Sequence, residues 1–138
     1  MAILGGAGNP VGGSFTGPAE ALEVIGDHAY AYSGVQAVDG TLQATIKFTS
    51  GNYYFVGGAQ YFKDSVTSEN YEFKVNLNGT AVVHGEWTEP MVQHSGFYPV
   101  DIIIPPYTEV ELTLQNISDN TARNWSTTLI GRIYRTSD

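Results

Sequence analysis

Residues 71–87 read YEFKVNLNGTAVVHGEW, and this stretch decides the fold class. Its first half alternates between apolar and polar residues from Tyr71 to Leu77, which is the pattern of a strand with one buried face. Asn78-Gly79 then separates this run from a second strand-like run, and this dipeptide favours the two-residue turn of a β-hairpin. The stretch therefore predicts two adjacent antiparallel strands.

The same period of two recurs on both sides of this hairpin. It is clear in LQATIKFT, residues 42–49, and in VELTL, residues 110–114, whereas no stretch shows a convincing helical period. Turn signals at Asp39-Gly40 and Ser50-Gly51 separate the runs, and Pro105-Pro106 must end a strand because proline cannot donate to a ladder. We predict strands at 21–36 (with Gly26-Asp27 as a point where it can break), 42–49, 52–63, 70–77, 80–87, 99–104, 108–116 and 125–135.

Eight strands with these connections predict an all-β fold, an antiparallel β-sandwich of the jelly-roll type. In that fold the Asn78-Gly79 hairpin joins neighbours within one sheet, and the Pro105-Pro106 corner joins strands of opposite sheets. An immunoglobulin-like sandwich is the alternative, but the cysteine and core tryptophan markers that would support it are missing. We expect a single sandwich domain over residues 19–138.

Residues 1–18, MAILGGAGNPVGGSFTGP, form a separate segment, because six glycines and two prolines cannot hold regular structure. A frayed tail is one interpretation. The other is an extended N-terminal arm that packs on a neighbouring subunit. In that case its apolar side chains would be buried there: Ile3, Leu4, Val11 and Phe15.

Composition excludes several function classes. The 138 residues carry a net charge of −8 with only six Lys and Arg, so we expect neither nucleic-acid nor membrane binding. Charged residues make up 14%, which leaves a surface of Thr, Ser, Asn, Gln and Gly. There is no cysteine and no signal-peptide pattern, and we expect synthesis in the cytoplasm without classical export.

Catalysis is not favoured by any motif. His84 and Glu86 share a strand face and could ligate a metal, but two ligands without a third are weak evidence, and a surface pair is the better interpretation. We therefore predict no enzyme, no cofactor and no resident metal.

Two polar patterns have simple explanations. The oxygen-rich run of Asn116, Ser118, Asp119 and Asn120 could bind calcium, yet its spacing matches no defined loop and favours a polar hairpin. The N-x-[ST] sequons at Asn78, Asn116 and Asn124 are interpreted as unglycosylated.

Carbohydrate binding is the main rival to a structural function, because sugars stack on exposed aromatic rings. Candidates, two of which lie in the long 89–98 loop, are Tyr30, Tyr32, Tyr53, Tyr54, Trp87, Phe97, Tyr98, Tyr107 and Trp125. The alternative is that such rings fill the core, as in most β proteins. We weigh an interface or ligand role evenly against a core role for Trp87, Phe97, Tyr98 and Tyr107.

The C-terminal stretch IIIPPYTEVELTLQNISDNTARNWSTTLIGRIY, residues 102–134, resembles small β-sandwich proteins encoded in tailed-phage genomes. The similarity lies in the I-P-P-Y-T-x-V run, the N-x-S turn and the closing L-I-G-R-I-Y. A weaker similarity covers GNYYFVGGAQYF, residues 51–62. Those proteins are virion structural proteins, among them head decoration (cement) subunits.

The resemblance implies a jelly-roll subunit, commonly a homotrimer, that binds the major capsid protein at the outer capsid surface of the virion. Under this hypothesis Tyr107 and Trp125 are interface anchors. The arm residues that would bind the capsid or neighbouring subunits are Ile3, Leu4, Val11 and Phe15. The alternative is a carbohydrate- or receptor-binding jelly-roll module of a tail fibre or spike, with a glycan on its outer surface.

Overall fold

The computed structural model describes residues 21–63, 69–88 and 96–135, and these residues form ten strands and no helix. None of these segments therefore contains a helix that could cross a membrane. The strands are β1 (Glu23–Ile25), β2 (His28–Tyr32), β3 (Gln36–Val38), β4 (Gln43–Thr49), β5 (Tyr53–Lys63), β6 (Tyr71–Leu77), β7 (Thr80–Trp87), β8 (Gly96–Ile104), β9 (Glu109–Asn116) and β10 (Arg123–Arg135).

Two antiparallel sheets pack face to face. The first sheet has the order β1-β2-β10-β5-β8, with β3 also paired to β10, and the second has the order β4-β9-β6-β7. When β1 to β3 are counted as the single predicted first strand, the sheets contain strands 1-8-3-6 and 2-7-4-5. This is the jelly-roll arrangement of two interleaved Greek keys, so the predicted fold class is confirmed.

The predicted hairpin joins β6 to β7. Asn78 and Gly79 both have positive φ angles, 53° and 80°, as a two-residue primed turn requires. The side-chain Oδ1 of Asn78 also accepts a hydrogen bond of 2.9 Å from the backbone N–H of Glu109. The turn is thereby tied to the neighbouring strand β9.

The Pro105-Pro106 corner connects β8 in the first sheet to β9 in the second, as predicted. Ser50 holds it in place, because its Oγ donates to the Pro105 carbonyl and accepts from the Thr108 N–H, both at 2.8 Å. Tyr107 follows the prolines with a φ of 54°, and its N–H donates to the Gly51 carbonyl at 3.0 Å.

The structure divides the predicted first strand into three. Gly26 and Gly34 adopt left-handed φ angles of 64° and 73°, which an extended strand cannot contain, so the chain turns at both positions. Strand boundaries also differ from prediction: β8 starts at Gly96, β10 starts at Arg123 and β3 ends at Val38, while most other strand starts shift by one or two residues. The predicted arm, residues 1–18, lies outside the described residues.

Candidate functional site

The outer face of the first sheet presents large apolar side chains to solvent. Along the rungs of the sheet, Ile130 lies between Tyr30 and Gly58, and Tyr134 lies opposite Tyr54. We call this surface the tyrosine-rich face, and its exposed members are Tyr30, Tyr32, Tyr54, Val56, Ile103, Ile130 and Tyr134.

This face arises because several strands are apolar on both sides. In β2, HAYAY, the small residues Ala29 and Ala31 point into the core while Tyr30 and Tyr32 point out. In β8, Ile102 and Ile104 are buried, but Ile103 between them is 60% exposed. Strands that are apolar on both faces are typical of sheets covered on both sides.

The outer face of the second sheet is polar. Lys47 lies opposite Glu111, and Lys74 lies opposite both Thr113 and His84. We call this surface the polar face, and its other outward residues are Thr49, Glu72, Asn76, Glu86, Glu109 and Gln115. The two outer surfaces of one sandwich therefore differ sharply, and the polar face has the composition expected of a surface in contact with water.

The positive charge of Arg132, on strand β10 in the middle of the tyrosine-rich face, is neutralised by a carboxylate of the same chain. Arg132 Nη2 donates to Asp27 Oδ2 at 3.0 Å, and the Arg132 guanidinium lowers the pKa of that carboxyl below its usual value. His28 Nδ1 lies 3.2 Å from the other carboxylate oxygen. The cation on this face is thus paired within the chain.

The structure places two of the predicted interface aromatics in the core. For Trp87 this is the core alternative weighed above, and for Trp125 it corrects the predicted interface role. Trp87 and Trp125 are 6% and 1% exposed, because both rings pack between the sheets, and neither reaches the surface of the described fold. Tyr107 is 67% exposed at the proline corner. The side chains of Phe97 and Tyr98, in β8, lie outside the described part of the chain, as do Ile3, Leu4, Val11 and Phe15.

Tyr30, Tyr32 and Tyr54, which the carbohydrate hypothesis considers, are all exposed on the tyrosine-rich face. Tyr134, Ile130 and Ile103 were missed as candidate site residues. A usable signal was present: in LIGRIY and DIII both alternating sets of positions contain large apolar residues, so neither set is a purely polar face.

His84 contacts Glu72 across the strands, whereas the sequence predicted a surface pair with Glu86. His84 Nε2 lies 2.8 Å from Glu72 Oε2 on the adjacent strand. Within the described segments no group of three His, Cys, Asp or Glu could hold a metal ion.

The run after β9 is a closed polar turn. Asn116 is buried, and its Oδ1 accepts from the Ser118 and Asp119 N–H groups while its Nδ2 donates to the Thr121 carbonyl. The Thr121 N–H in turn lowers the pKa of Asp119 by bonding its carboxylate. These bonds account for the oxygen-rich sequence as a hydrogen-bonded turn.

A group of charges is buried at the end of β5. Lys63 is fully buried, and its Nζ has no hydrogen-bond partner among the described residues. Arg123 binds the nearby Glu69 through Nε and Nη2, at 3.1 and 3.2 Å. Burial lowers the pKa of Lys63, and the Glu69 carboxylate opposes that effect only in part.

No family model and no curated protein sequence matches the chain. Several solved structures are similar to it in fold comparison. The structure of the infectious bursal disease virus Gx strain has a TM-score of 0.50 at 13% identity, with 86% of this chain covering 37% of that one. The VP2 subviral particle of the same virus gives 0.43 at 12% identity, with coverages of 80% and 37%.

An exo-β-1,3-galactanase from Phanerochaete chrysosporium, solved with galactose, gives a TM-score of 0.37 at 16% identity, with coverages of 94% and 25%. The chain thus spans 37% of the length of each of the two viral chains and 25% of the length of the galactanase chain. At 13% identity the similarity to the Gx strain structure shows a shared fold alone.

Proposed function

We propose that this chain is a non-enzymatic structural subunit of a virion, which binds the outer capsid surface as a decoration or cement protein. The observation that carries the proposal is the contrast between the two outer faces of the sandwich. Large contiguous apolar patches on soluble proteins mark interaction sites, and aromatic side chains are enriched in protein interfaces.

The energetics favour assembly through many copies. Covering a half-exposed Ile or Tyr side chain stabilises a contact by on the order of 1 kcal/mol, so one face gives a modest affinity. When several linked copies bind together, their affinities combine through effective concentration. A symmetric oligomer whose subunits each have one apolar face suits this mode of binding.

The partners proposed for the tyrosine-rich face are other copies of this chain, in a homotrimer, and the major capsid protein. The resemblance of residues 102–134 to tailed-phage decoration proteins supports this assignment, and the fold shared with a viral structure agrees with it. The net charge of −8 and the polar face suit a surface that remains in water outside the shell. Such a protein is made in the host cytoplasm and ends in the virion.

The test is the solution mass of the full-length protein by light scattering, followed by co-sedimentation with capsids that lack this subunit. We expect a trimer that co-sediments with the capsids. Ile130→Asp, which places a charge in the middle of the tyrosine-rich face, should reduce both trimer formation and co-sedimentation. Thr49→Asp adds the same charge on the polar face and is the matched control.

A monomer that does not co-sediment with capsids would contradict the proposal. Equal effects of Ile130→Asp and Thr49→Asp would contradict the assignment to the tyrosine-rich face.

Carbohydrate binding is the second candidate, and the exposed tyrosines favour it. Tyr30 and Tyr32 follow one another on β2, and Tyr54 lies opposite Tyr134, so several rings are available to stack on sugars. Gln60 and Asp101 on the same sheet offer polar groups for hydroxyls. Binding on a glycan array that Tyr30→Ala abolishes would favour a fibre or spike module instead.

A further inference from the structure

An apolar groove of about 720 Å³ opens along one side of the sandwich. It is lined by residues of both sheets, chiefly Leu77, Val82, Val83, Ile102, Ile103 and Pro105, and Asp101 is its charged neighbour. Val82 lies at the register shift between β6 and β7 and is half exposed. A volume of this size accommodates several apolar side chains.

The groove is bordered by two strand edges. Within the described segments β8 pairs only with β5, and β7 pairs only with β6, so each strand has one edge without a ladder partner. Open edges next to apolar surface are sites where an extended segment adds by backbone hydrogen bonding. The groove therefore suits an extended apolar segment.

Residues 1–18 have the chemistry that this groove requires. The segment contains no charged side chain and carries apolar residues at Ile3, Leu4, Val11 and Phe15. Its glycines allow the backbone to approach closely, which edge addition needs. The segment is also long enough to reach a groove on another copy, because the 20 residues before Ala21 span at most about 70 Å when extended.

The position of Ala21 favours an arm from another copy. Ala21 lies just before β1, at the opposite edge of the first sheet from β8, four strand spacings or about 19 Å away. The direct path between these two edges on one molecule runs over the tyrosine-rich face, the surface assigned above to subunit contacts. An arm from a neighbour meets the groove at the border of that contact, since Val56 and Ile103 belong to both.

We propose that the groove between the β7 and β8 edges receives residues 1–18 of a second copy of this chain, with the Ile3-Leu4 pair in the apolar pocket. This inference rests on the proposed function, because it takes the tyrosine-rich face as a contact between copies.

The chain contains no cysteine, which allows a direct test by disulfide cross-linking of the full-length protein. Ile3→Cys and Val82→Cys are made as separate single variants, mixed and oxidised gently. The expected product is a covalent heterodimer of twice the chain mass that forms in large excess over either homodimer. Thr49→Cys, on the polar face, replaces Val82→Cys in the matched control and should give no such product.

Absence of the heterodimer, or equal cross-linking to Thr49→Cys, would overturn the proposal. So would a double variant, Ile3→Cys with Val82→Cys, that cross-links only within one chain, since the arm would then fill its own groove. A trimer that Ile130→Asp disrupts, together with no cross-link at Val82, removes the arm assignment and leaves the proposed function standing. A monomer without capsid binding removes both.

Discussion

Gly57 on β5 and Gly131 on β10 lie directly opposite each other, and neither position has room for a β-carbon. At Gly57 an added β-carbon would lie 2.2 Å from the Ile130 carbonyl oxygen and 2.5 Å from the Gly131 Cα. These are backbone atoms within a ladder and cannot retreat as a flexible side chain would. The two strands approach each other closely because both residues are glycine.

We expect Gly57→Ala to lower the free energy of unfolding by more than about 2 kcal/mol, because the methyl group forces the central strands apart. The adjacent Gly58→Ala is the control, since the nearest atom to its β-carbon, the Val100 carbonyl oxygen, is 3.1 Å away. Denaturant unfolding of both variants measures the difference. Equal losses would show that the close approach is not what requires glycine.

The two tryptophans join the sheets. Trp87 of β7 and Trp125 of β10 stack with ring centroids 5.5 Å apart and an interplanar angle of 10°. We expect Trp125→Ala to cost about 3–5 kcal/mol of stability, as large core truncations do. Tyr107→Ala, at an exposed ring, should cost less than about 0.5 kcal/mol by the same measurement. A small loss at Trp125 would contradict its place in the core.

Replacing Lys63 should stabilise the fold. Lys63→Met removes a buried ammonium without a hydrogen-bond partner in the described structure, and we expect a gain of about 1–3 kcal/mol at neutral pH. Lys74→Met, on the polar face, should give no such gain. Chemical denaturation of both variants checks the expectation, and a loss of stability at Lys63→Met would contradict it.

We also expect Lys63 to make the stability of the fold depend on pH. Burial lowers its folded-state pKa below the ordinary 10.5, so between these two values the unfolded chain binds more protons than the folded chain. Its contribution to stability therefore rises with pH across that interval. Unfolding curves across this range should show the rise in the natural sequence, and Lys63→Met should lack it.

Tyr61 changes stability with pH in the opposite direction to Lys63. Its ring is fully buried, and burial raises the pKa of its phenol above the ordinary 10.0, while burial raises that of Tyr71 to about 12. Above pH 10 the unfolded chain loses these protons first, so stability falls as pH rises. Tyr61→Phe should reduce this alkaline loss, whereas Tyr54→Phe, at an exposed ring, should leave it unchanged. Thermal unfolding between pH 8 and 11 distinguishes them.

Removing residues 1–18 should leave the fold intact and abolish capsid binding. The described strands begin at Glu23, and the described residues of the core and those packed against it lie at or after Leu22, so the shortened chain retains all of them. The melting temperature and capsid co-sedimentation of the shortened chain measure the two effects. Retained co-sedimentation would contradict the role of the arm.

Local signals predicted much of this fold. Asn78-Gly79 and Pro105-Pro106 act through their own backbone chemistry, so they could be placed without knowing any tertiary contact. Gly34 was missed as a break in the predicted 21–36 strand, because a single glycine in an apolar run also fits a continuous strand.

The candidate site was harder to predict than the fold. A strand such as HAYAY or LIGRIY has apolar residues at both alternating sets of positions, so period two cannot say which set faces the core. Here the choice was made by pairing across β10, which buries Ala29 and Leu129 and leaves Tyr30 and Ile130 outside. The register shift beside Val82 likewise changes which side of β7 faces inward, and no local signal marks it.

The position of β10 has a consequence for synthesis. β10 is the last of the ten strands along the chain, yet it lies in the middle of the first sheet and pairs with β2, β3 and β5. While the ribosome is still translating, β2 and β5 therefore have no shared neighbour, and their apolar sides remain uncovered. The first sheet closes only when the β10 residues leave the exit tunnel, so a nascent chain stalled before Arg123 presents open strands to chaperones and to other nascent chains.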